Sequence, residues 1–295
     1  HTCVVTSGGL VKCWGGNSKG QLGIGANDNR GDEAGEMAST LSPSAGATLP
    51  CRDRDAALPF VDLNGDVAVA IALGYEHSCA LLVGGLVKCW GDNRLGEMGL
   101  GDTRLRGDEA GEMGASTPPP LSRAALPYVI LNGAVAVAIA LGFEHTCVLL
   151  QVGGSVKCFG QNHMGMLGTG TTEYLGDDAG EMASTLPRRS DAALPYVDLN
   201  GAVPVAIVCG SQHTCAQLVG GSVKCWDQNG NGQLGLGDTG YRGNSAHMGV
   251  RTPLQERRCF ARWMAGMEVL TKGCVDWQAN LPAVNFGADI AECAV

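Results

Sequence analysis

An all-β protein made of four copies of one unit is the fold class that this sequence predicts, and three observations predict it. A His-[Thr/Ser]-Cys phrase recurs at 1–3, 77–79, 145–147 and 213–215, in steps of 76, 68 and 68 residues. A second phrase, "LPFVDLNG" from 58, returns as "LPYVILNG" from 126, "LPYVDLNG" from 194 and a degraded "LPAVNFG" from 281, in steps of 68, 68 and 87. Glycine is abundant, at 45 of 295 residues, while only 17% of the chain is charged. That balance suits short strands joined by tight turns better than long solvated helices. Repetition on a fixed period means that each unit buries its apolar face against its neighbours.

Each unit runs in the same order. An apolar run such as "DVAVAIALG" or "AVPVAIVCG" is a buried-strand candidate. "H-[TS]-C-x-x-L", a Gly-Gly turn and "[LS]-V-K-C-[WF]" then read together as a β-hairpin. A glycine-punctuated loop follows, "GGNSKGQLGIG" in the first copy, and then an acidic segment, "RGDEAGEM" or a variant, leading to the next Leu-Pro. The longer first step places an insertion around "SPSAGATLPCRDR", and the longer last step places another within about 250–280. The units start near 1, 58, 126 and 194 and run to 249; a divergent segment at 250–280 and a partial last repeat at 281–295 follow.

The combination "IALGYEHSCALL…GGLVKCWGDNRLGEMGLGD" resembles the regulator of chromosome condensation repeat family, over about residues 1–243 and again 281–295. The resemblance implies a β-propeller with four-stranded antiparallel blades, usually seven of them. Four units of about 68 residues are fewer and longer than the family pattern, so the chain is expected to be a piece of a larger ring. Because it starts at a hairpin and ends on the strand that precedes one, a small closed ring also fits.

Eight of the 13 cysteines fall in the hairpins, as Cys3/Cys13, Cys79/Cys89, Cys147/Cys158 and Cys215/Cys225. With a three-residue loop the first two lie directly opposite, within reach of a bridge. Disulfides are the expected reading, with Cys147/Cys158 the least regular because its spacing is one residue longer. Two alternatives stay open: small buried hydrophobes, or zinc, which a single pair per hairpin serves poorly. Disulfides would imply an oxidising compartment, and so an extracellular or cell-surface protein.

His77, His145 and His213, with Trp14, Trp90, Phe159 and Trp226, recur in step with the unit. A residue needed once for chemistry has no reason to appear in every copy, so these are expected to be structural. The acidic loops supply Asp32, Glu33 and Glu36, then Asp108, Glu109 and Glu112, then Asp177, Asp178 and Glu181. Carboxylates in such a cluster are weak Ca²⁺ candidates, since Ca²⁺ takes six or more oxygens; a solvated, self-satisfied loop is the alternative. "RGD" at 30–32 and 106–108 drifts to "LGD" and "RGN" in the other copies, which is repeat grammar and not an adhesion signal.

A net charge of −9 disfavours binding to nucleic acid. The longest apolar run, "AVAVAIAL" at 134–141, is too short for a membrane span. No nucleophile elbow, phosphate loop or metalloprotease motif appears, so no enzyme activity and no cofactor is expected. Thr252-Pro253-Leu254-Gln255 followed by Phe260, Trp263, Met264, Met267 and Leu270 predicts a short helix from about 253 to 271. The segments that differ most between copies all lie between "GEM" and "LP", so they are expected on one rim. They carry Arg52, Arg54, Arg123, Arg188, Arg189, Arg257 and Arg258, a candidate binding surface for an acidic partner. The functional expectation is a non-catalytic protein-protein interaction module outside the cell; the alternative is a nucleotide-exchange factor or regulator of a small GTPase.

Overall fold

A computed structural model describes residues 1–37, 58–114, 126–182, 194–243 and 249–250. The predicted hairpins are all present, and the described residues form sheets of antiparallel strands at the predicted spacing. Strands β1 (Thr2–Val5) and β2 (Val11–Trp14) make the first pair. The second sheet is β3 (Ala68–Leu73), β4 (His77–Leu82) and β5 (Val87–Gly91); the third is β6 (Ala136–Leu141), β7 (His145–Leu150) and β8 (Val156–Gly160). The fourth is β9 (Pro204–Cys209), β10 (His213–Leu218), β11 (Val223–Asp227) and a short β12 (Gly249–Val250).

Four full strands per unit are therefore not what the structure shows, and the Leu-Pro phrase explains why. It lies along the outer hairpin strand but meets it through an isolated bridge, Lys12 to Phe60 and Lys88 to Tyr128. The Val61, Val129 and Val197 amides each donate to that strand, to Val11, Val87 and Val156. Pro59, Pro127 and Pro195 have no amide to extend the ladder, and proline belongs at such edges. The predicted helix at 253–271 and the partial last repeat lie outside the described residues.

Apolar cores form between successive sheets. Val11, Cys13 and Leu22 of the first unit pack with Ala80, Leu82 and Trp90 of the second. Leu81, Val87 and Met98 pack with Leu141, Val148 and Phe159, and Leu149, Val156 and Leu167 pack with Ile207, Ala216 and Trp226. The middle strands β4 and β7 are covered on both faces, and every one of their residues is buried. Stability in such an array is a sum of units and seams.

Cross-strand register places Cys3 opposite Cys13, Cys79 opposite Cys89, Cys147 opposite Cys158 and Cys215 opposite Cys225. All four pairs are disulfide-bonded, with Cα atoms 4.1 Å apart. The Cys147–Cys158 pair is as regular as the rest. Its additional residue is taken up in the turn, as a single 3₁₀ turn at Val152–Gly154 with Gly153 at φ 70°.

Candidate interaction surface and the seams beneath it

The recurring histidines cross the seams. His1 Nε2 lies 2.8 Å from Ser78 Oγ, His77 Nε2 3.0 Å from Thr146 Oγ1, and His145 Nε2 2.9 Å from Thr214 Oγ1. Each hydroxyl in turn donates to a carbonyl in the glycine-rich loop of the unit before, at Gln21, Glu97 and Met166. The Trp90 and Trp226 indoles donate to two of the same carbonyls, Gln21 and Met166. Phe159 has no donor for the carbonyl of Glu97. Burial drives the His77 ring down to about 3, helped by His145, and the His145 ring down to about 4, helped by His213. Both imidazoles are neutral, as a hydrogen-bonding connector requires. Trp14 lies against Gly31 of its own acidic loop, and His213 is half-buried.

The glycine loops close the seam from the other side. Gly25 donates to the Gly107 carbonyl, Gly101 to Gly176 and Gly170 to Gly243. At Gly20 an added Cβ would stand 2.4 Å from the Asp108 amide, and at Gly96 2.5 Å from that of Asp177. The acidic segment is thus the surface on which the preceding unit rests.

Within that segment the final glutamate folds back on its own loop. Glu36 Oε2 accepts from the Gly31 and Glu33 amides, Glu112 Oε2 from Gly107 and Glu109, and Glu181 Oε2 from Gly176 and Asp178. Burial would raise the Glu36 carboxyl, but those amides and Arg30 hold it below the usual range. Burial, then Asp108 and Asp177 nearby, raise Glu112 and Glu181. In each loop the oxygen that receives two amides closes its own turn. Asp32, Glu33, Asp108, Glu109, Asp177 and Asp178 frame these loops. The seven arginines of the expected basic rim lie outside the described residues.

A surface that sequence reasoning missed sits where the loops before β4, β7 and β10 run side by side. Tyr75 donates its amide to the Phe143 carbonyl, and Phe143 donates to Ser211. The Tyr75 and Phe143 rings stack with centroids 4.1 Å apart, and Tyr75 is 58% exposed. Around them gather Glu76, Asp92, Glu97 and Glu144. Arg94 reaches Asp92 through its Nε at 2.8 Å and Glu76 at 3.7 Å. Burial pushes Glu97 up to about 7, with Asp92 and Glu144 adding to it. Glu97 stands where the first and fourth units have Gln21 and Gln233, and it accepts the same turn amide that they accept. The signal was available: Tyr75, Phe143 and Ser211 are positions where the repeat does not repeat.

The regulator of chromosome condensation (RCC1) repeat profile matches residues 1–21, 68–97 and 136–165, each match taking in the hairpin of one unit. Three of the units thus carry the regulator of chromosome condensation (RCC1) repeat. Yeast RCC1 (Prp20), solved bound to Kap60, shares its fold at a TM-score of 0.50 and 20% identity, over 83% of this chain and 45% of that one. The ultraviolet-B receptor UVR8 of Arabidopsis thaliana is 33% identical over 169 residues, 57% of this chain and 31% of the receptor. The human probable E3 ubiquitin-protein ligase HERC4 is 28% identical over 243 residues, 82% of this chain and 18% of the ligase. The chain therefore spans less than half the length of each.

These relatives overturn the extracellular or cell-surface reading and the secreted character that went with it. They are ubiquitin ligases, a light receptor and a protein solved with Kap60. The reading failed because hairpin register alone brings the sulfurs together, so paired cysteines report strand geometry and not compartment. Among the described residues no helix is long and apolar enough to cross a membrane.

Proposed function

We propose that the units are blades of a β-propeller that recognises a small GTPase of the Gsp1 kind, without chemistry of its own. The observation that carries this reading is the ledge: an exposed Tyr75 ring stacked on a half-buried Phe143, beside four carboxylates and one arginine. Aromatic anchors with a charged surround are what protein interfaces are built from. The scaffold supports the choice of partner, since Prp20 has been characterised for binding to Gsp1p and histones. The same histidine-to-hydroxyl contact at three successive seams supports blades about an axis.

The arginine-bearing segments are proposed as a second contact. Two of them leave and return between hydrogen-bonded ends, with Leu58 donating to Glu36 and Leu126 to Met113. Such closed bases favour loops that hang from equivalent points of successive units.

The test is capture of a nucleotide-free Gsp1-type GTPase by the chain, together with release of a fluorescent GDP analogue. Capture and faster release are expected, and Tyr75→Ala with Glu76→Lys should weaken capture by tenfold or more, about 1.4 kcal/mol. A parent chain that neither captures the GTPase nor speeds release overturns the choice of partner. Charge reversal at Arg188 and Arg189 should weaken capture in a salt-sensitive way; unchanged capture removes the loops from the interface.

A further inference from the structure

Cys209 ends β9 at the position that Leu73 and Leu141 hold in the two units before it, and its thiol is free. It lies across a seam from the Cys147–Cys158 bridge. Ligand atoms of His145, Cys147 and Cys209 all fall within 4.8 Å of one another. The Thr214 hydroxyl ties the group together, 2.9 Å from His145 Nε2, 3.8 Å from Cys209 Sγ and 3.9 Å from Cys147 Sγ. His145 and Cys147 are wholly buried, and Cys209 is intermediate in exposure. The other ring nitrogen, His145 Nδ1, is buried with no hydrogen-bond partner among the described residues. The equivalent group at the preceding seam would be His77, Cys79 and Leu141, which lacks the second sulfur.

We propose that reduction of the Cys147–Cys158 bridge turns this seam into a binding site for a thiophilic d¹⁰ cation such as Zn²⁺, held by His145, Cys147 and Cys209. Cys158, bonded to Cys147 in the oxidised hairpin, is the third sulfur and would be the fourth ligand. Two thiolates, an imidazole and a further sulfur are the donor set of closed tetrahedral zinc sites. Bond lengths of about 2.0–2.3 Å there put neighbouring ligand atoms about 3.3–3.8 Å apart. Atoms already within 4.8 Å need only a small contraction.

The chemistry balances with a dithiol reductant. It delivers two electrons and two protons to the bridge and leaves as its own disulfide, while Cys147 and Cys158 become thiols. The cation then displaces the thiol protons of Cys147 and Cys209 to solvent, and that of Cys158 if it joins; the imidazole donates a lone pair. Because the ligands come from β7 and β9, the bound ion clips the third unit to the fourth. The other described seams have no such clip.

Co²⁺ alone serves as the probe, added to the full chain with its bridges reduced, to the oxidised chain, and to reduced Cys209→Leu. That variant installs the residue the second and third units carry at this position, so folding is preserved by precedent. The reduced parent should take up one equivalent more than the variant, with the thiolate-to-cobalt charge-transfer and tetrahedral visible bands that report it. The oxidised parent should lack those bands. Equal uptake and equal bands in reduced parent and Cys209→Leu overturn the proposal, and so does the same signal in the oxidised chain.

Discussion

The second and fourth units share one grammar and differ where it would be least expected. Gly91, at φ 107°, is replaced by Asp227 at φ 89°; Leu73 becomes Cys209, Asp66 becomes Ala202 and Glu97 becomes Gln233. In the second unit an added Cβ at Gly85, Gly91 or Gly96 would run into backbone. The contrast is sharpest at one turn: at Gly96 an added Cβ would meet the Asp177 amide at 2.5 Å and the Gly176 carbonyl carbon at 2.6 Å, whereas at Gly232 it meets nothing within 4 Å among the described residues. Glycine in this repeat is demanded by two separate things, a left-handed turn and a packed seam, and the two units separate them.

That separation yields the largest expected effect. Gly96→Ala forces a methyl group into backbone that cannot give way, on top of the left-handed strain, and should cost about 3–5 kcal/mol. Gly232→Ala carries only the strain and should cost about 1–2 kcal/mol. Denaturant midpoints of the two variants check this. Equal losses would mean that turn geometry alone fixes these glycines and that the seam contributes nothing.

The sequence carried the fold further than the site, for a physical reason. Period, hairpin turns and cysteine register are local and repeat three or four times, so His77, Cys79 and Trp90 could be recognised as parts of a unit. The prolines at 59, 127 and 195 are equally visible, and the weak edge follows from their missing amides. What the sequence concealed lies between units. Tyr75 and Phe143 are 68 positions apart, and Ala140 and Cys209 are 69, and only the stacking of sheets makes them neighbours. The same is true of Cys209 and Cys147, each unremarkable within its own strand. A departure from repeat grammar was the available cue at Tyr75, at Cys209 and at Asp227, but it marks a place without naming its chemistry.

Asp227 gives the next effect, of opposite sign. Its side chain is fully buried, neither carboxylate oxygen has a hydrogen-bond partner among the described residues, and burial pushes it up to about 7 from 3.8. A raised carboxyl favours the folded state while it holds its proton, and that advantage is lost as pH rises from about 4 to about 7. Asp227→Gly should therefore stabilise the protein by roughly 2–4 kcal/mol at pH 8, combining relief of the buried charge with relief of left-handed strain. Near pH 4 the gain should shrink to about 1 kcal/mol, the backbone share alone. Thermal unfolding of parent and variant across that range is the measurement. A gain independent of pH would place the cost in the backbone and leave the carboxylate out of it.

The smallest effect concerns Asp66, which the fourth unit replaces by Ala202 while keeping the lysine-to-carbonyl contact. In the second unit Lys88 is buried, lies 2.8 Å from Asp66 and 2.8 Å from the Leu63 carbonyl, and sits over the Tyr128 ring at 4.9 Å. Tyr128 also donates its hydroxyl to Asp66 at 2.9 Å. The fourth unit keeps the lysine-to-carbonyl contact, from Lys224 to Leu199, without the carboxylate. Asp66→Ala should then leave the ammonium group with its carbonyl and its aromatic face, and cost only about 1 kcal/mol, as for a half-exposed ion pair. Burial would raise the Asp66 carboxyl, but the hydrogen bonds from Lys88 and Tyr128 outweigh it and hold it below 3.8. The contribution is accordingly present above about pH 4 and lost as pH falls through the lowered value. Parent and Asp66→Ala should differ at pH 7 and converge on acidification. A loss of 3 kcal/mol or more at pH 7 would instead resemble a broken buried pair, and would show that the second unit depends on a charge the fourth has dispensed with.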